Sequence, residues 1–446
     1  MMSRIGTIAD RCRSAIQGSA ETPQSRVVSG SLVLLGGSAL VSLINLAYNV
    51  GIARLLGPVA FGEVAAVYTL LMLISAITLS FQLVCAKFVA QNETPSGKAA
   101  VYRALLIRSW QFGAAIALLL VLFSQTISGY LNINSPWLVI FLAVGITFYV
   151  PLGVRRGGMQ GLYAFRRLAV NFLIEGAVKL VGAFVLIHLG FGVRGAMGAV
   201  SASLILAYFF GSPGAELEVA SDPALPASFR EGIQAIVFFV GQVVINNVDI
   251  LLIKHFFAAR EAGLYAAAAL VGRLVYMSSW SVVSAMFPIA AGTKPDKQNI
   301  RSVLIPPLLI VFLITGCFTL GLWLFPNIVW RVIFGANFYR QELSSYSSLF
   351  VLYAAATGIY SFCVVLITYE MSHKIANTGW VQLAFSGAIV LGIALFHATL
   401  QQAVIVQLVL LTMLLIAASV PFFRRRQTCN GAPLAPEFPP VPNCEG

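Results

Sequence analysis

Charge is scarce in this chain: Asp, Glu, Lys and Arg make up 10% of its 446 residues, against roughly 25% in a soluble domain. What charge exists leans one way, with 28 Lys and Arg against 16 Asp and Glu, a formal net charge of +12. Histidine occurs four times and cysteine six times. Cys85, Cys317 and Cys363 fall in apolar runs and Cys12, Cys429 and Cys444 near the ends. No metal-ligand spacing results, and reduced, structural thiols are expected. A Walker-type phosphate loop is also lacking, which argues against direct ATP hydrolysis. Residues 1–27 hold no long apolar core, so no cleavable signal peptide is expected. No loop exceeds roughly twenty residues, which leaves no room for a soluble catalytic domain. The chain therefore reads as a non-enzyme that needs no cofactor.

What is abundant is hydrophobicity, at 59% of residues, in runs that repeatedly reach the roughly 20 residues needed to cross a bilayer. Twelve helices are predicted, over 28–53, 62–85, 107–126, 136–154, 168–189, 194–211, 232–254, 264–289, 303–325, 346–369, 377–397 and 402–422. The segments are apolar all round, whereas the strands of a membrane barrel alternate. The fold class is all-α: a polytopic membrane protein with twelve transmembrane helices in two six-helix bundles related by a parallel repeat. The domains are a cytoplasmic N-terminal segment (1–27), bundles over 28–211 and 232–422, a cytoplasmic linker (212–231) and a disordered, Pro-rich cytoplasmic tail (423–446). Of the Lys and Arg, twenty lie on the side shared by the termini and six on the other, with Lys179 and Arg273 inside helices. By the positive-inside rule both termini are cytoplasmic, which places the chain in the cell (inner) membrane. The basic balance is then a membrane property, able to hold anionic headgroups, and calls for no nucleic acid.

Two stretches look like copies. Ser42, Asn45, Asn49 and Arg54 precede Gly62-Glu63-Val64-Ala65-Ala66; Gln242, Asn246, Asp249 and Lys254 precede Gly263-Leu264-Tyr265-Ala266-Ala267. Six crossings separate them, so the copies share an orientation and an axis along the membrane normal, an arrangement used by transporters with a site between two halves. Gln242, Asn246 and Asp249 share one helix face, as do Ser38, Ser42, Asn45 and Asn49. Such stripes either bridge helices or line a cavity. A carboxylate at depth is costly and usually functional, so Asp249 reads as a proton or cation site or as the partner of Arg273. Arg273 is the best candidate to meet a diphosphate, because a guanidinium pairs bidentately with phosphate oxygens. Glu175 and Lys179 stand at i and i+4, the spacing of a local ion pair, and serve either as structure or as a switch. Arg54 and Lys254 read as anchors at the outer helix ends. Pro306 and Pro307 mark the start of helix nine.

Three motifs follow one another along the chain: Ala53-Arg54-Leu55-Leu56-Gly57-Pro58 leading to Phe61-Gly62; Arg156-Gly157, Gln160-Gly161 and Phe165; and Asn247-Val248-Asp249-Ile250-Leu251-Leu252 leading to Ala262-Gly263-Leu264-Tyr265-Ala266-Ala267-Ala268. In these the chain resembles the polysaccharide-biosynthesis, or O-antigen, flippases of the multidrug/oligosaccharidyl-lipid/polysaccharide exporter superfamily. The resemblance implies transport of a polyprenyl-diphosphate-linked oligosaccharide from inner to outer leaflet by alternating access, driven by an ion gradient or the membrane potential. It implies partners in membrane lipids, glycosyltransferases and a polymerase; a monomer is expected. Asn45, Asn49, Gln242, Asn246 and Arg273 become candidate substrate-binding residues, and Asp249, Glu175 and Lys179 coupling or switch residues. The competing class is a cation-coupled multidrug antiporter, in which acids should outnumber bases inside the bundle. A membrane polysaccharide polymerase is the third.

Overall fold

The computed structural model describes residues 23–217, 229–291, 297–335, 338, 347–373 and 378–428; among them almost every residue is helical and no strand occurs. The first helical run, Pro23–Gln91, is broken once, at Gly57, with φ of 77° and ψ of 178°. Glycine reaches that conformation without a Cβ clash, and Pro58 restarts the helix with its φ already set. The run is thus two helices meeting at a bend, α1 (23–56) and α2 (58–91). Ten more long helices follow, besides the short Ser124–Tyr130 and Pro326–Val329: α3 (Pro95–Leu122), α4 (Trp137–Gly161), α5 (Phe165–Leu186), α6 (Gly192–Phe209), α7 (Phe229–Phe256), α8 (Ala259–Ala291), α9 (Lys297–Leu324), α10 (Ser347–His373), α11 (Thr378–Leu395) and α12 (Leu400–Thr428). Nine described stretches are long and apolar enough to cross a membrane, and two of these, Ala39–Gln91 and Phe165–Phe209, each hold two helices. The shorter Gly379–Leu395 completes twelve. This is a multi-pass helical membrane protein.

Several helices run past the boundaries expected from hydropathy, because hydropathy marks the span and not the helix. α3 begins at Pro95, not 107: the Thr94 hydroxyl accepts from the Gly97 amide at 3.2 Å and Pro95 takes the first turn, a capped start built from polar sequence. α4 continues to Gly161, which moves Arg155 and Arg156 from an expected loop into a helix. α9 begins at Lys297, so Pro306 and Pro307 lie inside it and do not mark its start. α12 reaches Thr428, which makes residues 423–428 of the expected tail helical. The segment 1–22, linker residues 218–228 and the tail beyond 428 lie outside the described residues.

The halves α1–α6 and α7–α12 meet chiefly through α1 and α2 against α7 and α8. Where α1 bends into α2 and α7 gives way to α8, the two copies of the repeat touch. A Cβ on Gly62 would lie 3.1 Å from the Gly263 Cα, and one on Gly263 would lie 1.9 Å from the Pro58 carbonyl oxygen. Matching positions in mutual contact are what a two-fold axis between the halves produces. Further cross-half contacts seal this end. The Arg54 guanidinium donates to the Val332 and Ile333 carbonyls, and the Asn132 amide donates to those of Lys254 and His255. Tyr130 stacks on His255 with centroids 3.8 Å apart. Lys254 is 1% exposed, too buried for the expected anchor at a membrane surface.

Candidate functional site

Below the sealed end, the halves part around a cavity of about 600 Å³, within the range of ligand sites. Its wall comes from Ser42 of α1, Ser75 and Gln82 of α2, Gln160 at the end of α4, Gln242, Asn246 and Asn247 of α7, and Tyr276, Trp280 and Ser281 of α8. The remaining lining is apolar, and among the described residues no Asp, Glu, Lys, Arg or His takes part. Leu83, Met277 and Trp280 on its rim are exposed. The cavity therefore opens toward the ends of α2 and α8, on the side where α1 and α7 begin.

Local helix geometry sets how these amides are presented. Asn246 and Asn247 each turn their NH2 back onto the main chain one turn earlier, to the carbonyls of Gln242 (2.9 Å) and Val243 (2.8 Å). The Asn246 side chain also lies within hydrogen-bond reach of the Tyr276 and Tyr360 hydroxyls. Gln242 donates to the Tyr276 hydroxyl, while its Oε1, though buried, has no hydrogen-bond partner. A buried acceptor without a donor is costly; a ligand hydroxyl would satisfy it. Gln82 donates to Gln160 at 3.2 Å, linking α2 to α4 across the wall. Tyr276 stacks on Tyr360 and lies 6.1 Å from Trp280, so one side of the cavity is aromatic.

Of the residues expected to bind substrate, Gln242 and Asn246 line the cavity. Asn45 and Asn49 lie one and two turns beyond Ser42, toward the sealed end; Asn49 donates to the Asn45 carbonyl, and Asn45 accepts from Lys179. Arg273 sits apart from the lining, in the C-terminal half, bound to Asp249 at 3.1 Å. The Asp249 carboxylate is fully buried and also accepts from the hydroxyls of Tyr265 (2.9 Å) and Tyr353 (2.6 Å). The partnership read from sequence is thus present, but its two phenols were missed. Tyrosine counts as apolar in a membrane segment, so nothing flagged them.

The expected Glu175–Lys179 pair is absent. Glu175 instead bonds to Arg156 at 2.5 Å, and Arg156 also donates to Asn171 at 2.8 Å. Spacing at i and i+4 only permits a pair, and the planar guanidinium from α4 wins the carboxylate. Arg156 is itself 4% exposed, inside the protein where an inner loop was expected. Among the described residues no group of three or more His, Cys, Asp or Glu has metal-binding geometry.

No curated protein sequence matches the chain significantly. Solved structures do match its shape. One is described as the inward-facing conformation of a multidrug resistance MATE family transporter of the MOP superfamily; the TM-score is 0.73 at 14% identity, covering 90% of this chain and 99% of the other. The outward-facing conformation of such a transporter gives 0.62 at 16% identity, covering 92% and 97%. A MOP superfamily transporter from Pyrococcus furiosus, described by the reverse polarity of its binding pocket, gives 0.64 at 16% identity, covering 92% and 98%. At these identities the likeness is one of fold, and it extends over the whole bundle. Residues 52–341, which run from the end of α1 and include the second copy of the repeat and every cavity-lining residue outside α1, match a sequence family, and by that match the chain belongs to the polysaccharide biosynthesis protein family.

Proposed function

We propose that this protein is a flippase that carries a polyprenyl-diphosphate-linked oligosaccharide from the inner to the outer leaflet of the cell membrane. The observation that carries this reading is the cavity lining: carboxamides, hydroxyls and aromatic rings set among apolar side chains, with no charged side chain among the described residues. Such groups exchange hydrogen bonds with sugar hydroxyls and stack on sugar faces. Crossing hydrocarbon strips those hydroxyls of water at several kcal/mol for each unsatisfied group. A cavity between the halves that presents amides and hydroxyls replaces the lost hydrogen bonds while the polyprenyl chain stays in lipid.

The side on which the cavity opens is the one that the distribution of Lys and Arg assigns to the cytoplasm, so the described state is ready to load from the inner leaflet. Parting of the Gly62–Gly263 contact would then release the headgroup outside. An organic-cation antiporter would want a carboxylate facing the cavity. Here the two intramembrane acids named from sequence are already held, Asp249 by Arg273 and two tyrosines, Glu175 by Arg156.

The test is transport by purified protein in sealed vesicles, with a labelled polyprenyl-diphosphate oligosaccharide in one arm and ethidium in the other. Glycan reaching an external glycosidase supports the reading. Ethidium extrusion without glycan movement would put the antiporter in its place.

A further inference from the structure

Lys179 is a buried charge that neither the cavity wall nor the structural ion pairs use. It lies in the middle of α5 and is 3% exposed. Its ammonium donates to the Asn45 side-chain oxygen and, at 3.3 Å, to the Tyr68 hydroxyl. The rings of Tyr48 and Tyr68 each sit 5.2 Å from the nitrogen. An amide oxygen, a phenol and two ring faces suit a cation, but all are neutral.

Among the described residues the other deeply placed bases are held by acids or by main-chain carbonyls, as Arg155 is by those of Tyr208 and Gly211. Arg156 has Glu175, Arg273 has Asp249, and Lys254 is within electrostatic reach of Glu63. Lys179 forms no ion pair among the described residues; Glu175, one turn away on the same helix, is committed to Arg156. Burying a charge without a counter-ion is expensive. A structural lysine would come with its carboxylate, whereas one that awaits an anion would not.

Its position is also telling. Asn45 and Tyr68 lie one turn beyond Ser42 and Met72, which line the cavity. Both are only half-buried. An anion at the deep end of the cavity reaches Lys179 by displacing two neutral hydrogen bonds. To reach Arg273 or Arg156 it would first have to break an ion pair.

Accepting the flippase reading on which this rests, we propose that Lys179 is the anion-recognition residue: its ammonium takes a phosphate oxygen of the substrate's diphosphate, while the amides of the cavity take the sugar. Recognition is thereby divided between the halves, with charge read by the N-terminal bundle and hydroxyls read largely by α7. The Asn45–Tyr68 cage holds the ammonium in place until the phosphate arrives.

The experiment measures binding by calorimetry to the full chain in detergent, using farnesyl diphosphate, inorganic diphosphate and the uncharged farnesyl glucoside. Variants are Lys179→Gln, Lys179→Arg and Asn45→Asp, the last supplying the missing counter-ion. Lys179→Gln should weaken farnesyl diphosphate by about tenfold or more, the effect of one charged hydrogen bond in a desolvated site. Lys179→Arg should retain most of the affinity, and farnesyl glucoside should bind every variant as it binds wild type. Asn45→Asp should raise the melting temperature yet weaken farnesyl diphosphate, an outcome that loss of fold cannot mimic. Inorganic diphosphate binding as tightly as farnesyl diphosphate would identify a free-phosphate site and overturn a lipid-linked one. Unchanged farnesyl diphosphate affinity in Lys179→Gln, or an equal loss for farnesyl glucoside, overturns the assignment of Lys179 alone. Wild type that binds neither farnesyl compound defeats the flippase reading itself.

Discussion

Replacing Gly263 by alanine should break the seal at the closed end. The added Cβ would stand 1.9 Å from the Pro58 carbonyl oxygen and 2.5 Å from its carbon. Ordinary contact begins near 3.4 Å, so α8 and the start of α2 must separate by 3.4 − 1.9 = 1.5 Å, and both contact surfaces are backbone. Forced overpacking of this kind costs about 2 kcal/mol, and the closed arrangement bears that cost while the open one does not. The ratio of closed to open should fall about 30-fold. Spin labels at Leu189 in the N-terminal half and Leu395 in the C-terminal half report the change, since both are exposed near this end. Their distance distribution should gain a longer component in Gly263→Ala and shift less in Gly62→Ala, whose Cβ meets its nearest neighbour only at 3.1 Å. Identical distributions in wild type and Gly263→Ala would refute the claim that this contact is the gate.

Asp249→Asn should lower stability by about 3 kcal/mol, the low end for a broken buried pair because the Arg273 side chain is 19% exposed. Asp249→Asn/Arg273→Met should recover most of the loss in a thermal-shift assay, since the stranded charge is gone. Gln242→Leu removes the unpartnered Oε1 while keeping the side chain's bulk. Glycan translocation should fall by about tenfold with little change in melting temperature, and an undiminished rate would remove Gln242 from the substrate site. Arg54→Ala deletes the donors to the Val332 and Ile333 carbonyls. It should lengthen the same label distance in the manner of Gly263→Ala, and a distance unchanged from wild type would limit Arg54 to a local role.

Much of the architecture was legible because the bilayer imposes it, in apolar runs of spanning length, and because a motif is duplicated. The duplication was informative beyond topology, since Gly62 and Gly263, matched only by pattern, turn out to touch. Parts of the site were legible for a similar reason. Polar residues in an apolar helix are conspicuous, and Gln242, Asn246 and the Asp249–Arg273 pair stood out in that way. Gln82 carried the same signal, as a lone amide in an apolar run, and was passed over. Partner choice was not legible. Glu175 has a base four residues away on its own helix and bonds instead to Arg156 of α4, which hydropathy had assigned to a loop. Tyr265 and Tyr353 carry their chemistry on a ring that reads as hydrophobic. In both cases the deciding contact lies between helices, where sequence spacing says nothing.

Alternating access between the halves is the central claim, and holding the closed end shut tests it most directly. Tyr130 and His255 face one another there from opposite halves. With both changed to cysteine and joined by a short, reductant-cleavable bifunctional thiol reagent, translocation of the labelled lipid-linked oligosaccharide should drop to the level of protein-free vesicles and return on reduction. Undiminished translocation by the bridged protein would contradict the account.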